Sequence, residues 1–256
     1  MKIASVPYFN AKPLIHGLND VLLLHPADLA CKLREGAIDI GLVPVMEVLE
    51  EPGLYDILDG FSISSRGPVQ SVVLAHRIPV QEIRAVNVDI HSKTSATLVK
   101  IVCERFFGIK PEYIPFDSDG ATDAGDAVML IGDQALKFID SLKGDDWQIT
   151  DLGAVWKEFT GLPFVYAVWA ARKNTCNWEV FDTLKRAKEE GLAHLDAICA
   201  GKHVFSSTRL AMNYLTKNIY YDLNEEEKEG LHQFQKFLME DKKINVESQL
   251  NYINFD

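Results

Sequence analysis

Residues 2–43 read KIASVPYFNAKPLIHGLNDVLLLHPADLACKLREGAIDIGLV, and two hydrophobic patterns alternate along them. Short apolar runs predict strands and amphipathic segments predict helices. The resulting order is strand 2–6, helix 10–18, strand 21–25, helix 26–36 and strand 38–43. Pro26 suits the first turn of a helix, and Gly36 suits its end. A β-α-β-α-β order predicts parallel strands with helices on the sheet faces, which is the α/β class.

The rest of the chain continues this pattern and then becomes helical. The predicted strands are 55–64, 69–76, 84–88, 112–115, 127–131 and 162–171, and the predicted helices are 94–107, 132–139, 178–199, 207–216 and 224–241. Asn224 and Glu227 have the spacing of a capping box, with Asn in place of Ser or Thr. Because no Pro-, Gly- or Ser-rich linker separates the halves, we expect two lobes joined by strands. One lobe comprises 1–85 with 172–256, and the other comprises 86–171.

The composition is that of an acidic globular protein. The chain has 256 residues, of which 47% are hydrophobic, and a formal net charge of −11. An acidic surface repels nucleic acid and anionic membranes, so we expect neither as a partner. An anionic ligand would therefore have to be held by local donors rather than by the overall field.

The N-terminal sequence and the cysteines indicate a cytoplasmic protein. The first residues lack a basic segment followed by an apolar stretch, which argues against a signal peptide. The apolar runs are too short to span a membrane. The four cysteines have no C-x-x-C spacing, so neither a zinc site nor a disulfide framework is predicted. We expect Cys31 and Cys103 to be buried reduced thiols.

The segment 91–97, HSKTSAT, is rich in hydroxyl groups and opens a predicted helix. The N-terminus of a helix presents unpaired N–H groups and a partial positive charge, so it binds anions without a formal cation. Ser92, Thr94 and Ser95 would add hydroxyl donors. Ordinary N-capping would use one of these residues, and four hydroxyl side chains within six positions exceed what a cap requires.

Two further strand-to-helix junctions carry polar side chains. In 7–14, Tyr8, Asn10 and Lys12 follow the first strand, and ligands of open α/β sheets lie beyond the carboxyl ends of strands. Asn10 is equally suited to capping the helix. Asp133, after the strand 127–131, is suited to act as a base, to bind a ligand hydroxyl or to cap the helix, and capping is the commonest of these roles.

The segment 64–72, SSRGPVQSV, predicts a Gly-Pro corner before a strand. Its backbone N–H groups and the Ser71 hydroxyl are suited to a carboxylate, with Arg66 as a source of charge. A plain turn with a solvated Arg66 is the commoner structure for such a segment. Tyr166, in the apolar run 162–171, is a further candidate for the cleft. Motifs for a Ser nucleophile, a P-loop, a zinc protease or a dinucleotide site do not occur.

Taken together, these segments resemble the chorismate dehydratase family of the futalosine route to menaquinone. The matching stretches, in order, are YFNAKPL at 8–14, DIGLVP at 39–44, SRGPVQSV at 65–72, SKTS at 92–95, GDQAL at 132–136 and TGLPFVYA at 160–167. The resemblance implies a fold like that of type II periplasmic binding proteins, with two lobes and a central ligand cleft. It also implies loss of water from chorismate to give 3-[(1-carboxyvinyl)oxy]benzoate, with no metal or other cofactor.

The resemblance also implies where the substrate, a small dicarboxylate, would lie. Matching positions place Asn10, Ser71, Thr94 and Ser95 at the substrate. We expect catalytic roles for Asn10, Ser71 and Asp133, and substrate contacts from Tyr8, Lys12, Arg66, Val72, Ser92, Thr94, Ser95 and Tyr166. The matched motifs contain no obvious His or Glu base, so the proton acceptor is either the substrate's own side-chain carboxylate or Asp133.

Two other functions fit the same pattern. One is a binding protein of this fold without catalysis, although the chain lacks a signal peptide and a helix-turn-helix segment. The other is the related enzyme that acts later in the pathway on a cyclic nucleoside. The segments 8–14 and 66–72 favour the dehydratase. The oligomeric state stays open, and a homodimer is one of its options.

Overall fold

The computed structural model describes residues 1–89, 92–116, 125–142, 144, 147–244 and 249–255. Two β-sheets, with helices packed around them, organise these residues. The strands are β1 Ile3–Ser5, β2 Leu22–Leu23, β3 Ile40–Pro44, β4 Tyr55–Ser65, β5 Val72–His76, β6 Ala85–Asp89, β7 Glu112–Phe116, β8 Ala127–Ile131, β9 Gln148–Asp151, β10 Phe164–Arg172 and β11 Tyr252–Ile253.

The helices lie between these strands and dominate the last third of the chain. The α-helices are α1 Pro26–Glu35, α2 Val45–Glu50, α3 Lys93–Ile101, α4 Gly132–Ser141, α5 Leu152–Thr160, α6 Trp178–Ala193, α7 Leu195–Ala200, α8 Thr208–Asn213 and α9 Glu225–Glu240. A 3₁₀ helix spans Phe9–Ile15, and a short one spans Val80–Glu82. Two π-helical turns, Val102–Phe106 and Tyr214–Asn218, extend α3 and α8.

The first sheet has six strands in the order β11-β4-β10-β3-β1-β2. β1 pairs in parallel with both β2 and β3, which confirms the predicted β-α-β-α-β unit. β10 runs antiparallel between β3 and β4. Mixing an antiparallel strand into a parallel sheet is common in α/β proteins.

The second sheet has five strands in the order β7-β6-β8-β5-β9. β6 runs parallel to β7 and β8, while β5 is antiparallel to β8 and β9. The chain therefore enters the second sheet between β4 and β5 and returns to the first between β9 and β10. The two-lobed α/β architecture predicted from the sequence is confirmed, whereas the boundaries at 85 and 171 stay a prediction.

Several short elements differ from the sequence prediction. α2 was not predicted, because the apolar run continues without a break from the strand into this six-residue helix. β9 and α5 were missed as well, although Asp151 caps α5 by accepting a hydrogen bond from the Ala154 N–H. The predicted helix 178–199 is two helices, which separate at His194. The capping box of Asn224 and Glu227 is confirmed.

The cysteines divide between the core and the surface. All four are free, and Cys103 is buried as predicted. Cys31 is exposed, so its predicted burial is wrong. It lies on α1, where only Pro26, Leu29 and Leu33 are buried, so the apolar face of that helix is narrower than the sequence pattern suggested.

Candidate active site

A cavity lies between the two sheets. It is lined by Val6, Tyr8, Asn10, Pro26, Pro44, Ile63, Val69, Ser71, Val72, Ser92, Thr94, Ser95, Ile131, Gly132, Tyr166 and Ala167. The polar members of this set carry hydroxyl or amide groups, and within the described chain the lining contains no charged side chain. We refer to this space as the inner cavity.

The inner cavity lies where strands of both lobes end and helices begin. Pro26 begins α1, Pro44 precedes α2, Ser92 precedes α3, and Gly132 begins α4. Tyr8 similarly precedes the 3₁₀ helix that follows β1. Ligands of open α/β sheets occupy this position, because the helix N-termini there point their N–H groups towards the ligand.

These helix starts lack the side-chain caps that other helices of the protein have. No side-chain capping bond is formed by the residues before α1, α2, α3 and α4 among those described. By contrast, Asp151 caps α5, Asn177 caps α6 and Ser207 caps α8. The amide groups of a helix's first turn carry partial positive charge, so the starts of α1, α3 and α4 make the cavity favourable for anions although no cation lines it in the described chain. In the first turn of α2, the Met46 N–H donates to Thr94 Oγ1.

Ser71 lies on the wall of the cavity and is connected to a buried tyrosine. Its side chain is 1% exposed, and its Oγ accepts a hydrogen bond of 2.9 Å from the Tyr214 hydroxyl. The Ser71 proton is therefore left to donate elsewhere. Burial raises the pKa of Tyr214, and hydrogen bonds with Ser71 and Asn10 offset only part of this rise.

Asn10 presents an amide oxygen that has no hydrogen-bond partner among the described residues. The residue is 9% exposed, and its Oδ1 is fully buried. It lies within the 3₁₀ helix rather than before it, so it is not an N-cap. A buried carbonyl oxygen without a partner costs about 1–3 kcal/mol, a cost that a donor on a bound ligand would remove.

The start of α3 contributes three hydroxyl residues to the cavity. Ser92, Thr94 and Ser95 are all at least nine-tenths buried. Thr94 Oγ1 accepts a hydrogen bond of 3.3 Å from the Met46 N–H, so it connects the second lobe to α2 of the first. Its hydroxyl proton remains to donate to a ligand.

Tyr8 and Gly132 meet across the lobes beside the cavity. Gly132 has a φ of +53°, and its N–H donates to the Ser71 carbonyl oxygen at 2.7 Å. A Cβ at this position would lie 3.1 Å from the Tyr8 ring. Glycine is needed here for both reasons, because a side chain would strain the backbone and displace the ring.

The Gly-Pro corner binds a carboxylate of the protein itself. Asp151 accepts hydrogen bonds from Val69 N at 3.0 Å and from Gln70 N at 2.6 Å. These two amides are therefore not open to a ligand. Tyr166 reaches the cavity, and its hydroxyl lies 3.2 Å from Ser65 Oγ. Burial, together with the charge of Asp151, raises the pKa of Tyr166.

Lys12 and Asp133 lie in a second depression rather than in the inner cavity. It is lined by Pro7, Phe9, Lys12, Asp133, Lys137, Lys202, His203 and Val204. Asp133 accepts a hydrogen bond of 3.1 Å from Phe9 N, and this contact forms part of the wall between the two spaces. Burial raises the pKa of Asp133, whereas the Phe9 N–H and the nearby lysines lower it.

Arg66 points away from the inner cavity. Its Nε donates to Glu227 Oε1 at 2.8 Å, and its guanidinium lies 4.0 Å from the centre of the Tyr220 ring. Glu227 is fully buried, so Arg66 neutralises a buried carboxylate of α9. Such a partner cannot be recognised from the sequence, because 161 residues separate the two.

The cavity contains contributors that the sequence analysis did not identify. Pro26 and Pro44 line it as the starts of helices, and Tyr214 supports Ser71 from behind. The prolines gave a usable signal, since each follows a predicted strand. Tyr214 gave none, because it lies in a helical pattern typical of core residues.

The described residues contain neither a membrane-spanning helix nor a cluster of metal-binding side chains. No helix among these residues is long and apolar enough to cross a membrane. The described His, Cys, Asp and Glu side chains form no group of three or more that could hold a metal ion.

The overall structure is similar to solved proteins of low sequence identity. A protein from Archaeoglobus fulgidus has a TM-score of 0.70 at 16% identity, with 95% of this chain and 98% of that chain covered. The periplasmic aliphatic sulphonate binding protein SsuA from Escherichia coli gives 0.62 at 12%, covering 100% and 94%. A Candida albicans protein described as having the generic periplasmic binding protein structural fold gives 0.56 at 11%, covering 100% and 98%. The predicted periplasmic-binding-protein-like fold is confirmed.

The sequence itself matches one family over most of its length. Chorismate dehydratase from Thermus thermophilus is 30% identical in an alignment 251 positions long that covers 90% of this chain and 92% of that protein. A family described as menaquinone biosynthesis matches residues 1–240. On both findings, the chain belongs to the menaquinone biosynthesis family.

Proposed function

We propose that this protein removes water from chorismate to give 3-[(1-carboxyvinyl)oxy]benzoate. The observation that carries the proposal is the inner cavity, whose lining contains no charged side chain in the described chain and at which the starts of α1, α2, α3 and α4 meet. Such a site suits a small dicarboxylate. The relative from Thermus thermophilus bears the name of this activity, and the matching family is one of menaquinone biosynthesis.

The reaction needs little from the protein beyond binding and orientation. The ring of chorismate loses one C–H proton and the hydroxyl group on the adjacent carbon, and these leave as one molecule of water. The electrons of the broken C–H bond delocalise through the ring diene onto the ring carboxylate before the hydroxyl departs. Formation of the aromatic ring drives the sequence forward.

Hydrogen-bond donors aimed at the ring carboxylate would stabilise the charge that develops on it. Ser71 and the start of α3 with Thr94 and Ser95 are our candidates for holding the two carboxylates. A hydrogen bond to a charged group contributes about 1.5–3 kcal/mol, and more of this is gained in the transition state if the donors are already in place. Asn10 Oδ1, which has no partner among the described residues, is suited to accept a hydrogen bond from the hydroxyl that leaves.

We propose the substrate's own side-chain carboxylate as the proton acceptor. The part of the inner cavity that the structure describes has no carboxylate or imidazole in its lining. Asp133, the other candidate, bonds to Phe9 N in the neighbouring depression. A carboxylate that arrives with the substrate would be held within reach of the ring proton by the same donors that bind it.

We also propose that the reaction takes place in the cytoplasm, where the four free cysteines would stay reduced. A homodimer is a proposal as well, and the mass in solution tests it.

Incubation of the purified protein with chorismate tests the proposed activity. We expect the chorismate absorbance to fall while an aromatic enol ether appears that is lighter by one water in mass spectrometry. Well-folded protein that binds chorismate and leaves it unchanged would indicate a binding protein. Turnover of a cyclic futalosine derivative instead of chorismate would indicate the later enzyme of the pathway.

A further inference from the structure

Another cavity adjoins the inner cavity. It is lined by Pro26, Ala27, Ala30, Cys31, Arg34, Pro44, Met46, Glu47 and Lys93. Pro26 and Pro44 line both spaces, so the two cavities meet at the starts of α1 and α2. We refer to the second space as the outer compartment.

The outer compartment differs from the inner cavity in carrying charge. Arg34 and Lys93 are its two cations in the described chain. Arg34 donates to both oxygens of Glu47, at 3.1 and 2.6 Å, and Glu47 is 3% exposed. The Arg34 side chain is 44% exposed, but its removal would leave the buried Glu47 carboxylate without its cation, which is costly. Arg34 is therefore engaged in neutralising Glu47.

Lys93 is bound much more loosely. Its Nζ lies 2.8 Å from Glu50 Oε2, with side-chain exposures of 63% for Lys93 and 31% for Glu50. Solvent screens such a pair, and exposed ion pairs of this kind contribute about 0–1 kcal/mol. A carboxylate on a ligand can therefore replace Glu50 at little cost.

The position of Lys93 connects it to the proposed substrate site. Its sequence neighbours Ser92 and Thr94 line the inner cavity, whereas Lys93 lines the outer compartment. Met46, which donates its N–H to Thr94, also lines the outer compartment. A dianion that leaves Lys93 for the inner cavity therefore passes the first turn of α3.

We propose that the outer compartment is an entry site for the dicarboxylate, and that Lys93 exchanges Glu50 for a substrate carboxylate there. The inference rests on the proposed function. A protein with a net charge of −11 repels a dianion, and its inner cavity offers no compensating cation among the described residues. A cation at the entrance offsets this repulsion and raises the rate of association.

Two single substitutions distinguish an entry site from the alternative that the Lys93–Glu50 ion pair only holds the two lobes together. Lys93→Gln removes the capturing charge, whereas Glu50→Gln removes the competing carboxylate and leaves Lys93 free. As an entry site, Lys93→Gln lowers kcat/KM for chorismate by about five- to tenfold, and Glu50→Gln raises it by about two- to threefold. If the ion pair only holds the lobes together, both variants change kcat/KM in the same direction, because either one breaks the same ion pair.

The matched controls are Lys236→Gln and Glu229→Gln, which make the same charge changes on exposed positions of α9. Both should leave kcat/KM within twofold of the unaltered protein. The effects at Lys93 and Glu50 should shrink towards the control values when the salt is raised from about 0.05 to 0.5 M, because exposed charges are then screened.

The inference is overturned if Lys93→Gln and Glu50→Gln change kcat/KM in the same direction. It is also overturned if both values of kcat/KM lie within the range of the controls. Failure of the proposed function has a different signature, namely that unaltered protein does not convert chorismate. If it still binds chorismate, the same four variants are compared by Kd. Lys93→Gln should then weaken binding and Glu50→Gln should strengthen it, and any other order contradicts the entry site. If unaltered protein does not bind chorismate at all, the entry site fails together with the proposed function.

Discussion

At the scale of single residues, the hydroxyl group of Tyr214 determines how Ser71 can serve a ligand. Because Ser71 Oγ accepts from Tyr214, its own proton is directed to another acceptor, and the inner cavity is the space beside it. Tyr214 touches Ser71 from the core side, so it is a positioning residue rather than a catalytic one. Tyr214 also begins a π-helical turn, a feature frequent at functional sites.

Tyr214→Phe should lower kcat for chorismate about tenfold with a smaller change in KM, because Ser71 loses the bond that orients it. Steady-state kinetics measure both values. Tyr221→Phe is the matched control, since Tyr221 is also buried and its hydroxyl has no partner in the described structure. That control should keep its activity. Ser71→Ala alone should weaken activity clearly, and Tyr214→Phe should add little on that background. An equal loss in both tyrosine variants, or full additivity with Ser71→Ala, would contradict this role.

Asp133→Asn should retain at least about half of the turnover number. The amide oxygen can still accept from Phe9 N, and the proposed proton acceptor belongs to the substrate. Asp140→Asn, on the same helix and bonded to Ser206, is the control for the lost charge. General bases contribute about 10²–10⁴-fold. A loss of 100-fold or more for Asp133→Asn alone would make Asp133 the base and exclude our proposal.

Residue types at strand ends could be recognised from the sequence, whereas long-range partners could not. Asn10, Ser71, Thr94, Ser95 and Tyr166 were predicted at the cleft, and all five line the inner cavity. Their roles in the reaction remain proposals. Arg66 and Lys12 were also predicted to contact the substrate, but their partners are a buried glutamate far along the chain and the carbonyl of Lys202. Sequence spacing carries no information on such contacts.

At the scale of elements, the junction between β8 and α4 requires a glycine at position 132. We expect Gly132→Ala to cost about 1–2 kcal/mol of unfolding free energy, because of its positive φ, and to lower activity at least tenfold by displacing Tyr8. Gly161→Ala is the matched control. It has a φ of +73°, and a Cβ there meets nothing within 4 Å. Urea denaturation and kinetics should show similar destabilisation in both variants and lost activity only in Gly132→Ala.

Equal loss of activity in the two glycine variants would mean that destabilisation, and not the Tyr8 contact, controls turnover.

Long elements were predictable and short ones were not, for a physical reason. The strands at 55–65 and 164–172 are each at least nine residues long, and β-branched and aromatic residues recur along both, so their type was clear. α2 has six residues and β9 has four, which is too few for a period to appear. The start of α3 was predicted as a hydroxyl-rich helix terminus, and the structure adds that no side chain caps it among the described residues.

At the scale of the whole molecule, the inner cavity of this acidic protein has no charged side chain in its described lining, and the pH dependence of activity should reflect this. Burial raises the pKa of Tyr166 and of Tyr214, so both hydroxyls stay neutral to higher pH than a free tyrosine. The proposed base, a substrate carboxylate, is already ionised at pH 6. We therefore expect kcat to be flat between about pH 6 and 9, a range that lies below the ordinary tyrosine pKa of about 10.

A pH profile of kcat measures this directly, with circular dichroism at each pH as the control for folding. A rise in kcat with an apparent pKa of about 6.5 would instead indicate a histidine base, for which His203 in the neighbouring depression would be the candidate.

The α/β class followed from the order of strands and helices, and the two lobes followed from the absence of a linker between the halves. The sheet positions of β10 and β5 could not be predicted, because each strand joins its sheet by antiparallel pairing with a strand distant in sequence. The inner cavity depends on these two strand pairings, because both strands contribute to its lining. Ser71 and Val72 reach it from the start of β5, and Tyr166 and Ala167 reach it from β10.

The central claim is that uncharged donors between the lobes hold the dicarboxylate, and a crystal structure with bound 3-[(1-carboxyvinyl)oxy]benzoate tests it most directly. We predict the product in the inner cavity, with its carboxylates within hydrogen-bond distance of Ser71, Thr94 or Ser95 and of amide groups at the helix starts. Carboxylates bound instead to Lys12 and Lys137 in the neighbouring depression would contradict the account.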